Sequence, residues 1–193
     1  MNNNMTRELW LTQAVAELTT LFEAEGFEVP AVRVSIGWPH GGRKTTIGQC
    51  FPGTLAADGV GQVFISPVLD DPVRILDVLL HELVHAINHT EGKSGHGKDF
   101  KTIAVKMGLT GKMTATVASE ELTATLTTIA KGLGDFPHAS LGPAPAAAKS
   151  RSGKTIKLAC PAGEDFVVSI SKSRLEMYGT PKCPCHDEAM EVA

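Results

Sequence analysis

His81 and His85 stand four residues apart with Glu82 between them, in a stretch whose apolar residues recur at helical spacing: Ile75, Leu76, Leu79, Leu80, Leu83 and Val84. Positions four apart on an α-helix share a face, so both imidazoles project to one side while the leucines project to another. Asp70-Asp71-Pro72 supplies a start, with aspartate to cap and proline for the first helical position. The spacing predicts a helix from there to about His89, broken by the two glycines of Thr90 to Gly95. Two histidines on one face can hold one metal ion. A carboxylate one residue after the first can reach a water activated by that ion without displacing it. The pattern therefore points to zinc chemistry, with Glu82 as the general base.

Catalytic zinc takes a third protein ligand and keeps an open fourth position. Three candidates follow the pair: His89, Glu91 and His96. His89 continues the four-residue spacing, but on a straight helix it lies two turns from His81, roughly 11 Å along the axis. Glu91 needs a sharp turn near Asn88, a residue that tolerates one. His96 follows a glycine-broken loop long enough to fold back onto the first pair, and precedes Gly97 and a new helix.

The rest of the chain reads as one ordinary domain and an appendage. It has 193 residues, 42% hydrophobic and 20% charged, with a formal net charge of -3. That charge excludes a uniformly basic nucleic-acid binder but not a local basic patch. No apolar run approaches the ~18 residues of a membrane helix, and Met1 to Trp10 lacks a hydrophobic signal core, so a cytoplasmic location is the expectation. An amphipathic helix is predicted over Arg7 to Gly26, with Leu9, Val15, Leu18, Leu21 and Phe22 sharing a face. Strands are predicted over Val32 to Trp38, Thr45 to Phe51 and Val60 to Ser66. Further helices are predicted over Lys98 to Met107 and Ser119 to Lys131. His40 and His138 have no partner at ligand spacing and read as solvated loop residues. Cys50 reads as a buried strand cysteine, Met113 as core filler, and Arg43-Lys44 as a charged surface loop.

The motif and its surroundings resemble the SprT-like (Spartan-type) metallopeptidases. The resemblance rests on His81-Glu82-Leu83-Val84-His85-Ala86, then His96-Gly97-Lys98-Asp99-Phe100-Lys101 after a spacer. Phe64-Ile65-Ser66-Pro67 upstream and the late pair Cys183-Pro184-Cys185 add to it. It implies an α+β, zincin-like domain over residues 5–137, with an N-terminal helix, a small sheet and the motif helix. It implies His81, His85 and His96 as zinc ligands and Glu82 as the catalytic glutamate. Phe100 would anchor the following helix in the core. Eukaryotic members of the family act on proteins crosslinked to DNA.

Residues 138–154, rich in Ala, Pro, Gly and Ser, read as a flexible linker, and 155–193 as a small β module like a zinc ribbon. Family members carry two cysteine pairs in such a ribbon. Here Cys160 stands alone, with Gly163 at the position of its partner. Cys160, Cys183, Cys185 and His186 could still make a set of four for a second zinc, although consecutive residues such as Cys185 and His186 point apart in an extended chain. The alternative is a degenerate ribbon held by its apolar strands alone. The locally basic segment 149–174, with Lys149, Arg151, Lys154, Lys157, Lys172 and Arg174, suits either DNA phosphates or a solvated face. Two other functions share these features. One is a nucleic-acid-binding accessory protein with a structural zinc and little turnover. The other is a zinc amidase acting on a non-protein amide. Neither oligomeric state nor substrate follows from the sequence.

Overall fold

The computed structural model describes residues 5–40, 46–142, 155–163 and 165–193, in two compact units, Met1–Pro145 and Ala146–Ala193. Arg43-Lys44, the start of the second predicted strand at Thr45, and most of the predicted linker, with Lys149, Arg151 and Lys154, lie outside the described residues. Among the described residues no helix is long and apolar enough to cross a membrane.

The first unit is mixed α and β. Helix α1 (Arg7–Ala24) leads into β1 (Val32–Ile36), β2 (Gly48–Phe51) and β3 (Gly61–Ile65). These form a three-stranded sheet in the order β1-β3-β2, with β1 parallel and β2 antiparallel to β3. Helix α2 (Pro72–Thr90) and helix α3 (Lys98–Lys106) follow. A hairpin of β4 (Leu109–Lys112) and β5 (Ala115–Ala118) comes next, then helix α4 (Glu120–Leu133).

The helix starts obey elementary capping. The Thr6, Asp71 and Ser119 side chains accept from the backbone N–H three residues on, at the heads of α1, α2 and α4, and Pro72 opens α2. Helix α2 runs straight through Asn88 to Thr90, so the turn that would deliver Glu91 to His81 and His85 does not form. Glu91 is exposed and paired with Lys93 instead.

Helix α2 is the spine of the core. Ile75, Leu76, Leu79, Leu80 and Leu83 are completely buried against α1, the sheet and α4. Helix α1 meets this core with Trp10, Leu11, Ala14, Leu18 and Phe22. The face expected from the sequence is therefore rotated: Leu9 is 44% exposed, while Val15 and Leu21 pack at the margin. Trp10 fixes the rotation. Its indole Nε1–H donates to the Gly134 carbonyl at 3.0 Å and its ring meets Phe136 edge-on at 5.1 Å, joining the start of α1 to the end of α4.

The second unit holds β6 (Thr155–Ala159), β7 (Val167–Ser171), helix α5 (Lys172–Tyr178) and β8 (Glu191–Val192), in an antiparallel sheet of order β7-β6-β8. Its core is small: Leu158, Cys160, Cys183 and Met190.

The rotated face of α1 has a measurable consequence. Leu11→Ala should lower unfolding stability by about 2–5 kcal/mol, whereas Leu9→Ala should change it by less than about 1 kcal/mol, read by urea denaturation. Equal losses would restore the face expected from the sequence.

Candidate functional site

Helix α2 turns its second face into a cleft of about 720 Å³, walled on one side by β2 and on the other by the turn into β5. His81, Glu82, His85 and His89 line it, and the loop after α2 brings His96 to them. The His96 Nε2 lies 3.2 Å from the Nε2 of His81 and 3.1 Å from that of His85. Lys93 staples this loop: its ammonium meets Glu91 at 2.6 Å and Asp99 at 3.1 Å, and its backbone N–H donates to the Asn88 carbonyl. Phe100, fully buried on α3, lies under all three imidazoles, with ring centroids 4.5–4.8 Å away. It thus reaches the site as well as the core.

Of the three candidates for a third ligand, only His96 joins the pair. His89 sits one turn beyond His85, half-buried, with its Nδ1 3.7 Å from the Cys50 Sγ. The two separations from His96 Nε2, 3.1 and 3.2 Å, approach the edge of a tetrahedron, ~3.3 Å for bonds of 2.0–2.1 Å to zinc, and the three ligand atoms all lie within 4.8 Å of one another. The donors are also in the right state. Burial holds the His81 imidazole down at about 4 and that of His85 at about 3, so both are neutral at pH 7. The Thr116 hydroxyl, 2.7 Å from His81 Nδ1, can accept the proton there and leave Nε2 its lone pair.

Glu82 is 5% exposed. Burial pushes its carboxyl up to about 8, against the pull of a hydrogen bond from the Cys50 backbone N–H. Gly48 on β2 makes room for it: a Cβ there would stand 2.5 Å from Glu82 Oε1 and 2.6 Å from Val78. Cys50 lines the same wall, and burial raises its thiol to about 12. It is half-buried rather than lost in the sheet core.

Arg74 and Asp77 close one end of the cleft. Asp77 is buried and pairs with the Arg74 guanidinium through Oδ2, and its Oδ1 has no hydrogen-bond partner among the described residues. Thr116, on His81, docks β5 against α2 through a polar contact. Neither Thr116, Gly48 nor the Arg74–Asp77 pair announces itself in the sequence. His40 is exposed in a loop, as read, but His138 is not solvated: its ring bridges Arg7, at 3.2 Å, and the Pro67 carbonyl, at 2.9 Å.

In the second unit Cys160, Cys183 and His186 offer three ligand atoms within 4.8 Å of one another. Cys185 is not in that group. Burial works against ionisation of the Cys183 thiol. Even so, the Cys185 backbone N–H and the Cys160 and Cys185 side chains hold it below the usual thiol range.

Glu82 leaves a signature in the metal-free protein. Its carboxyl binds a proton more tightly folded than unfolded, so between about 4.5 and 8 it makes stability fall as pH rises. His81, His85, His89 and His96, all held below the ordinary imidazole value, act oppositely as pH rises through about 6.5. Metal-free wild type should therefore lose of the order of 1–2 kcal/mol more than Glu82→Gln between pH 6.5 and 8, as followed by chemical denaturation in chelator. An unchanged slope in the variant would show that Glu82 is not the source.

No characterised relative and no solved structure matches the chain significantly. The SprT-like family model does, over residues 15–120, which is more than half of the sequence and spans the sheet, α2, the His96 loop and the hairpin. The resemblance read from His81-Glu82-Leu83-Val84-His85 and His96-Gly97 is borne out: the chain belongs to the SprT-like family.

Proposed function

We propose that the cleft is the active site of a zinc-dependent metallopeptidase, with His81, His85 and His96 as the zinc ligands and Glu82 as the general base. The observation that carries this reading is the convergence of three imidazoles, with the His96 Nε2 3.1–3.2 Å from those of His81 and His85, on a cleft that a buried carboxyl also lines. Family membership supports a metallopeptidase-like function.

Zinc held by His81, His85 and His96 would polarise the scissile carbonyl and acidify a water. The chain's own residues do the rest. The Cys50 N–H and the space left by Gly48 hold the Glu82 carboxyl beside the imidazoles. Burial pushes the Glu82 carboxyl up to about 8, and a divalent charge held by the imidazoles would favour its carboxylate form. As a carboxylate, Glu82 takes a proton from the attacking water and gives it to the leaving amine. Thr116 fixes the orientation of His81.

A peptide fits this cleft better than a compact amide. Residues Thr46 to Cys50 line its wall, and β2 has a strand partner on only one side among the described residues. An extended chain can hydrogen-bond along the free edge. The proposal extends to DNA-associated protein substrates, with DNA met by the basic 149–174 segment, of which Lys157, Lys172 and Arg174 are described. It extends also to a second, structural zinc at Cys160, Cys183 and His186.

Three variants test the assignment together, by metal analysis and by cleavage of an unfolded protein. Glu82→Gln should keep its zinc and lose at least about a hundredfold in hydrolysis. His96→Ala should lose zinc, and Glu91→Ala should keep it. Hydrolysis surviving in Glu82→Gln would remove it as the base, and zinc surviving in His96→Ala but not in Glu91→Ala would reverse the ligand assignment.

A further inference from the structure

Among the described residues that line the cleft, Arg74 alone carries a fixed positive charge. It is not a stray surface cation. Asp77, three residues on, is buried and holds the Arg74 guanidinium by one nitrogen, Nη1, while its other carboxyl oxygen, Oδ1, finds no hydrogen-bond partner among the described residues. A guanidinium has five N–H donors in a planar fork, so one contact to Asp77 leaves most of them for another partner. About a third of the Arg74 side chain remains exposed. The pairing with Asp77 restrains a side chain that would otherwise lose much rotamer freedom on binding, so the cation is pre-organised toward the cleft. No competing acid is available there. Asp77 is committed to Arg74, and Glu82, the other lining carboxyl, lies beside the imidazoles.

From this geometry we infer that Arg74 is a specificity-determining residue that binds a carboxylate of the peptide substrate, a short distance along the chain from the bond to be cut. The distance follows from the helix. The Arg74 guanidinium sits on Asp77, which precedes His81 by four residues, ~6 Å of helix axis. An extended peptide rises ~3.3 Å per residue, so its carboxylate belongs about two residues from the scissile bond. The carboxylate can come from an aspartate or glutamate side chain or from the free end of the chain.

The inference rests on the metallopeptidase reading, and the test separates the two. The probes are neutral extended peptides, amidated at the C-terminus, each with one Glu moved along the sequence, alongside Gln counterparts and one Gln peptide with a free carboxylate end. Binding to the full-length, zinc-loaded Glu82→Gln protein is read by fluorescence anisotropy, and cleavage sites are mapped with the wild type. One Glu position, about two residues from the cut, should bind about tenfold tighter than Gln, with the advantage shrinking in high salt. A gain confined to the free-end peptide would assign Arg74 to the chain terminus.

Removing Arg74 alone would strand the buried Asp77 charge, so the decisive variant is Arg74→Gln with Asp77→Asn. Its Glu-to-Gln ratio should fall to about one, while Arg74→Lys should keep part of the preference. If the double variant does not fold, the Arg74→Lys ratio decides alone, and an undiminished tenfold preference there overturns the fork-like contact. Peptides that bind and are cleaved with no Glu advantage at any position overturn the inference and leave the peptidase standing. Peptides that neither bind nor are cleaved overturn both.

Discussion

Burial of one face of α2 sets the direction of the other. Ile75, Leu76, Leu79, Leu80 and Leu83 are all withdrawn from water, and nothing short of unfolding the core can rotate them out. At about 2 kcal/mol each, these five side chains contribute of the order of 10 kcal/mol. That exceeds the ~5 kcal/mol implied by ionising Glu82 where burial has moved it from 4.5 to about 8. The helix can therefore carry a carboxyl into a half-enclosed cleft against that group's own preference. The 3.6-residue period then delivers Arg74, Asp77, His81, Glu82, His85 and His89 to the cleft.

The other elements act on this spine. Helix α3 inserts Phe100 beneath the imidazoles, and Lys93 fastens the loop that carries His96. Strand β5 docks through Thr116, and β2 supplies a wall in which Gly48 leaves room for the Glu82 carboxyl. Each contact is modest alone. Together they pre-organise the side chains, so their conformational cost is met during folding rather than during reaction.

Much of this was legible in the sequence, for identifiable reasons. Helix α2 has strong periodicity, an aspartate cap and a proline start, and α4 has its serine cap and acidic first turn. The hairpin was not legible. Strands β4 and β5 are four residues each; three of the four residues of β4 are exposed, and β5 buries Thr116 while exposing Val117, so neither shows the apolar alternation that marks a half-buried strand. With the hairpin went Thr116, whose role depends on a contact 35 residues away. The rotation of α1 was misread because Leu9 suits an apolar stripe as well as Trp10 does. Only the Gly134 carbonyl and Phe136, 124 residues or more away, decide between them. Arg74 and Asp77 look like an ordinary i, i+3 surface pair until the fold buries one of them. In the second unit the spacing suggested four ligands, and local geometry brings together three, with Cys185 left outside the group.

The claim that zinc belongs to His81, His85 and His96 is tested most directly by elemental analysis of the variant Cys160→Ser, Cys183→Ser, Cys185→Ser. That variant should hold one zinc per chain, on the histidines alone. A wild type with one zinc and a variant with none would leave the metal in the second unit, and would contradict the reading of the α2 cleft as a metallopeptidase active site.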